Sequence, residues 1–207
     1  MKKLSKFIWR IPFPWLREAY VIANKSRNAS KIVRVVEAIW YHYGINGHTL
    51  PLTIPAGCLS EFNFTRQALG RNLRLLEQAG LLTLKDTKED RGQPYTIIVM
   101  KTDFEIGCEV SNEWFVQRIP MAWIQRVHQI EDEYHYGIKL IQTTHAIIFA
   151  WRTRRPLSNT LCKEFGIDSV DTKRKHLKFL SQKNLITVEQ QGNMSPIITP
   201  KNWKKKQ

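Results

Sequence analysis

The chain has 207 residues, 43% of them apolar and 24% charged, the composition of an ordinary globular protein with room for one large domain or two small ones. Lys plus Arg number 32 against 18 Asp plus Glu, a formal net charge of +14. A surface this basic repels itself and calls for an acidic partner, nucleic acid first and an anionic membrane surface second. No stretch approaches the roughly 18 apolar residues of a membrane span. Cys58, Cys108 and Cys162 form no CxxC pair, which argues against a zinc site or a disulfide framework and fits a reducing cytoplasm.

The opening, MKKLSKFIWRIPFPW, starts with the charge of a signal peptide. Its apolar run then stops at Arg10, and Pro12 and Pro14 follow, so it is expected to form a folded or DNA-contacting arm. Arg10-Ile11-Pro12-Phe13-Pro14-Trp15-Leu16 returns as Arg118-Ile119-Pro120-Met121-Ala122-Trp123-Ile124. Ala38-Ile39-Trp40 meets Ala146-Ile147-Ile148, Leu73-Arg74-Leu75-Leu76 meets Leu177-Lys178-Phe179-Leu180, and Leu81-Leu82-Thr83 meets Leu185-Ile186-Thr187. Matches in the same order mark an internal repeat. One unit spans 8–104 and the other 116–200, with a linker at 105–115 and a basic tail at 201–207.

In the first unit, Ser30 to Tyr43 has helical periodicity with Ser30 as N-cap, and Gly44 and Gly47 end it. Thr53 is placed to cap a short helix with Pro55 in its first turn, running to about Phe62. Asn63-Phe64 makes the turn, and Thr65 caps a longer helix to about Ala79, with Leu69, Leu73 and Leu76 on one face and Gly80 at its end. Leu81 to Leu84 and Tyr95 to Met100 read as strands around a polar turn from Lys85 to Pro94. The second unit follows suit, with a helix from Leu140 to Trp151, a short helix from about Ser158 to Phe165 and a turn at Gly166. Asp168 or Ser169 then caps a helix to about Lys183. Strands Leu185–Val188 and Ile197–Thr199 flank a Gln191-Gly192-Asn193 tip. The expected fold class is mainly α with small β-hairpins (α+β).

The run Phe64-Thr65-Arg66-Gln67-Ala68-Leu69-Gly70-Arg71-Asn72-Leu73-Arg74-Leu75-Leu76-Glu77-Gln78-Ala79-Gly80-Leu81-Leu82 resembles the recognition helix and first wing strand of winged-helix regulators of the MarR and GntR type. The Asp90-Arg91-Gly92-Gln93-Pro94-Tyr95 wing is also similar to theirs. Both units further resemble small bacterial proteins of mobile or conjugative elements that open with an Ile-Pro-x-x-Trp-Leu segment and end in one winged helix. The resemblance implies two tandem winged helix-turn-helix units forming a pseudo-dimer, with double-stranded DNA as partner, no cofactor and a cytoplasmic, nucleoid-associated setting. The second unit departs from the pattern by about one residue around Asp168–Asp171.

In such a fold the second helix of the turn lies in the major groove with its N-terminal residues at base edges. If Leu69, Leu73 and Leu76 face inward, Arg66, Gln67, Gly70, Arg71 and Arg74 project elsewhere. Arg suits guanine O6 and N7, Gln suits adenine N6 and N7, and Gly70 would admit the groove floor closely. Thr65 and the helix N-terminus suit phosphate, and Arg91 a minor groove or backbone. In the second unit Ser169, Lys173, Arg174, Lys175 and Lys178, with His176 beside them, suggest phosphate contact more than base reading. Lys2, Lys3, Lys6, Arg10 and the tail lysines would add nonspecific affinity.

Trp15 and Trp123, at matched positions, are expected to anchor their segments to the core in preference to stacking on bases. His42, His48, His128, His135, His145 and His176 have no metal-ligand spacing, and Glu131-Asp132-Glu133 diverges around a helix. No Walker loop, GxGxxG or GxSxG is present, so an enzyme, a nuclease included, is not expected. The leading expectation is a sequence-specific repressor reading two dissimilar half-sites as a single-chain pseudo-dimer. A plasmid replication initiator or conjugation accessory protein is one alternative, and an interaction module in a larger assembly is another.

Overall fold

The computed structural model describes residues 7–26, 29–55, 60–85, 95–101, 115–116, 118–190, 192 and 194–201. Strands β1 (Phe7–Ile8) and β2 (Ile11–Pro12) lead into helices α1 (Phe13–Asn24) and α2 (Ala29–Ile45), then β3 (Leu52–Ile54), α3 (Arg66–Gln78), β4 (Leu82–Leu84) and β5 (Tyr95–Met100). The second half runs β6 (Phe115–Val116), β7 (Ile119–Pro120), α4 (Met121–Tyr134), α5 (Ile138–Arg152), α6 (Asn159–Glu164), α7 (Val170–Gln182), β8 (Ile186–Glu189) and β9 (Ile197–Pro200). Helices with small antiparallel sheets make this an α+β chain. No described helix is long and apolar enough to cross a membrane.

Three elements differ from the sequence reading. Each half carries a leading helix that the sequence reading did not assign, α1 starting where the N-terminal arm was expected and α4 in the second half. Pro12 and Pro14 do not break α1, because they sit at its cap and first turn, where a missing N–H costs nothing. Behind them Trp15, Leu16, Ala19, Tyr20 and Ala23 recur at helical spacing and are buried. Thr53 is not a helix cap. It lies in β3 between buried Leu52 and Ile54, its hydroxyl 3.2 Å from that of Thr96 across the sheet, and this period-two burial and cross-strand Thr pair outweigh the local cap signal. The expected short helix over 53–62 falls partly on residues outside those described, and Ser60 to Asn63 form a turn. The linker falls outside them too, apart from Phe115, as do tail residues 202–207 and Lys2, Lys3 and Lys6.

The arm residues join the two halves. Phe7 pairs with Pro120, Ile8 with Ile119, Ile11 with Val116 and Pro12 with Phe115, all antiparallel. Because Ile11-Pro12 and Ile119-Pro120 are repeat mates, Phe7-Ile8 and Phe115-Val116 are mates as well. Exchanging the halves therefore turns the β1–β7 pairing into the β2–β6 pairing, which is the signature of a two-fold relation. Trp15 and Trp123 are both buried, and the Trp123 Nε1–H donates to the Leu185 carbonyl at 3.3 Å, so each anchors its leading helix as expected.

A polar seam runs through the apolar junction of the halves. Fully buried Arg34 on α2 forks onto Asp132 with two contacts of 2.9 Å, donates to the His128 carbonyl at 3.2 Å and pairs with Glu131. Buried Glu37 meets His128 Nε2 at 2.7 Å and His145 Nε2 at 3.0 Å, and the Tyr20 hydroxyl lies 2.7 Å from His145 Nδ1. Burial alone would raise the Glu37 carboxyl, yet the two histidines bring it down to about 2. Burial, with the Glu37 charge, pushes the Tyr20 phenol well above its ordinary value. We assign Nε2–H of His145 to the carboxylate, leaving Nδ1 to accept from Tyr20. Tyr20 and His128 are repeat mates, as are Glu37 and His145. The Glu37–His128 contact therefore has His145–Tyr20 as its image, and Glu37–His145 lies on the two-fold itself.

Removing one partner of a buried ion pair leaves the other charge stranded, at a cost of about 3–5 kcal/mol. Arg34→Ala strands Glu131, which is 6% exposed, and should lower the urea-unfolding free energy by that order. A loss under about 1 kcal/mol, typical of a surface pair, would contradict the seam's role.

Candidate nucleic-acid interface

Helix α3 forms where its sequence demands. The Thr65 side chain accepts from the Ala68 N–H at 3.2 Å, filling one of the donors a helix N-terminus leaves open. Leu69, Leu73 and Leu76 are buried beneath it. Gly80, at φ +72°, takes the left-handed conformation that ends the helix. Gln67, Arg71 and Arg74 are exposed and Arg66 half-exposed, so these four share the outward side. The first turn of α3 carries no acidic residue. Thr65, Gln67 and Arg71 line a hollow of about 220 Å³ together with Lys31 from the start of α2. The sequence reading missed Lys31. Its position at the head of the helix, before Ile32 and Val33, was the available signal.

Gly70 stands apart from that set. It is buried, and a Cβ there would lie 2.0 Å from the Tyr95 hydroxyl. The position admits Tyr95 of strand β5 instead of a groove floor, which corrects the expectation for Gly70. Arg91 lies outside the described residues.

On α7 the Ser169 hydroxyl, not Asp168, is the cap, accepting from Thr172 N–H at 3.3 Å. Arg174, Lys175 and Lys178 are exposed. Lys173 does not join them. It is 6% exposed, with Nζ donating to the Leu157 carbonyl at 3.3 Å and to the Asn159 side chain. Lys173 is the repeat mate of Leu69, so it occupies an inward position and secures the start of α6. His176 is also turned in, 2.7 Å from the Thr143 hydroxyl. Burial lowers it to about 4, so it adds no charge to the helix at neutral pH. Asp171 in the first turn lies 3.9 Å from Arg174, both side chains well exposed.

The junctions of α3 and α7 with their hairpins differ. In the first half Tyr95 fills the space over Gly70. In the second, Arg174 stands at the place of Gly70 and the ladder register puts Pro196 at that of Tyr95, and a hollow of about 550 Å³ opens between α7 and the hairpin, lined by Val170, Arg174, Lys178 and Met194 among others. Among the described residues no group of three His, Cys, Asp or Glu is placed to hold a metal ion. Cys162 is free and buried, and burial pushes its thiol up to about 11 despite the nearby Lys173. No protein-family model, curated protein or solved structure matches the chain.

Ala inside a helix is ordinarily better than Gly by about 1 kcal/mol. Gly70→Ala should instead destabilise, because the Tyr95 ring must move. Tyr95→Ala in the Gly70→Ala background should recover the helix gain in a thermal-melt double-mutant cycle. Additive effects would contradict the packing described.

Proposed function

We propose that this chain is a sequence-specific double-stranded DNA-binding protein, not an enzyme, in which two winged-helix units form a single-chain pseudo-dimer. A transcriptional regulator, most simply a repressor, fits this reading. The observation that carries it is the outward side of α3, where Gln67, Arg71 and Arg74 lie exposed beyond a capped N-terminus. Their donors match the major-groove edges of guanine and adenine, and the N-terminal turn suits phosphate.

The second helix supports a different share of the work. Arg174, Lys175 and Lys178 are exposed cations, but Asp171 repels phosphate at the N-terminal turn. On this reading α7 contributes backbone affinity and α3 most of the base reading, so the two half-sites are dissimilar. The net charge of +14 supports the same partner.

A randomised duplex library selects the site, and titrations over a salt series follow. Arg71→Ala should cost about 1–3 kcal/mol on the selected duplex and far less on random DNA. Lys178→Ala should weaken both alike and lower the salt slope by about one. Negligible affinity for random duplex at about 50 mM salt would reject DNA as the partner.

A further inference from the structure

Helix α2 runs against α3 in the first half and α5 against α7 in the second, and the two junctions use their polar groups differently. The second is closed from within. The Lys139 Nζ donates to the Gly166 carbonyl, and the His176 ring lies 2.7 Å from the Thr143 hydroxyl. Asp171 stands in the first turn of α7. The repeat puts Lys31, Val35, Gln67 and Asn72 where the second half has Lys139, Thr143, Asp171 and His176. The Val35 side chain offers no hydrogen bond, so the group that satisfies His176 has no counterpart for Asn72.

Asn72 is 2% exposed, and its side-chain amide has no hydrogen-bond partner among the described residues. Buried amides are ordinarily paired. Asn72 instead lines the hollow of about 220 Å³ at the head of α3, with Lys31, Thr65, Gln67, Ala68 and Arg71. No Asp or Glu lines it, and neither Lys31 nor Arg71 has an ion-pair partner among the described residues. The Thr65 oxygen accepts from the Ala68 N–H, which leaves the hydroxyl proton to donate elsewhere. Two cations, a hydroxyl and an unpaired buried amide thus border one small space. A water would satisfy the amide but would leave the positive charge around it uncompensated.

We propose that this hollow is a seat for one phosphate group, held by Lys31, the Thr65 hydroxyl and the Asn72 amide. A phosphate accepts several charge-assisted hydrogen bonds at once, and the N-terminal turn of α3 adds the favourable end of the helix dipole. Arg71 is exposed at the rim, where its charge adds to the attraction and its guanidinium remains available to a base. On the DNA reading, on which the natural occupant rests, the group is a single backbone linkage of the bound duplex. Seating it fixes the register of α3 along the groove. At the same place in the second half Lys139 and His176 are already engaged, so only α3 is indexed in this way.

Inorganic phosphate is titrated into the isotope-labelled full chain at constant ionic strength and followed by NMR. The Asn72 side-chain amide and the Gln67 and Ala68 backbone amides should shift saturably, and chloride should not move them. Asn72→Leu removes the amide without breaking a hydrogen bond. It should weaken phosphate about tenfold or more, read at Gln67 and Ala68, with the melting temperature unchanged or raised. Lys31→Gln should weaken phosphate likewise. In the selected duplex a neutral methylphosphonate then replaces one linkage at a time. One linkage should cost about tenfold in the wild type and little in Lys31→Gln. Phosphate binding with no such linkage would overturn the backbone assignment and give the seat to a free phosphate group. A chain that binds phosphate in this way but no duplex would support the seat and reject the DNA reading. No saturable shift, equal affinity in Asn72→Leu, or a lowered melting temperature in that variant would overturn the seat itself.

Discussion

The architecture depends on charges that cannot be exposed one at a time. Arg34 and Glu37 sit fully buried on one helix, and their partners Glu131, Asp132, His128 and His145 belong to the other half, with Tyr20 joined through His145. In a low-dielectric junction, an ion pair holds its geometry because any displacement leaves a desolvated charge without compensation. The seam adds direction to an otherwise apolar contact. Ile8, Ile11, Val116 and Ile119, all buried around it, would tolerate sliding, whereas the fork of Arg34 on Asp132 would not.

A two-fold scaffold with unlike surfaces follows from this. The backbone pairing of the arms is symmetric, and so is the exchange of Tyr20–His145 for Glu37–His128. The side chains have diverged around that frame. Arg34 is paired on one side, while its mate Gln142 is buried with no hydrogen-bond partner recorded for its amide group among the described residues. Outward, α3 is free of acid in its first turn and α7 is not. Tyr95 closes the junction of α3 with its hairpin, while that of α7 stays open with Pro196 in the corresponding place. Equivalent positions therefore serve different chemistry while the spacing between the units is held fixed.

What the sequence revealed followed the strength of local signals. Helix α3 was legible because Leu69, Leu73 and Leu76 agree with the Thr65 cap and with Gly80, and Ser169 marked α7 in the same way. Helices α1 and α4 were not, because Pro12 and Pro14 look like breakers until their place at a helix start is known. Strand β3 was hidden because Thr53 and Pro55 imitate a cap, and only pairing with Thr96 decides otherwise. The inward position of Lys173 was written in the repeat, since it aligns with Leu69, but a lysine amid Arg174 and Lys175 reads first as surface charge. The seam was illegible in principle, since Arg34 and Glu37 find their partners on α4 and α5.

The central claim is that the seam presents α3 and α7 as one rigid pair to a single duplex. Hydroxyl-radical footprinting on the selected site addresses it directly. The account predicts two protected patches about one helical turn apart, both produced by one copy of the chain and unequal in depth. A single patch, or two patches whose separation varies among selected sites, would contradict it.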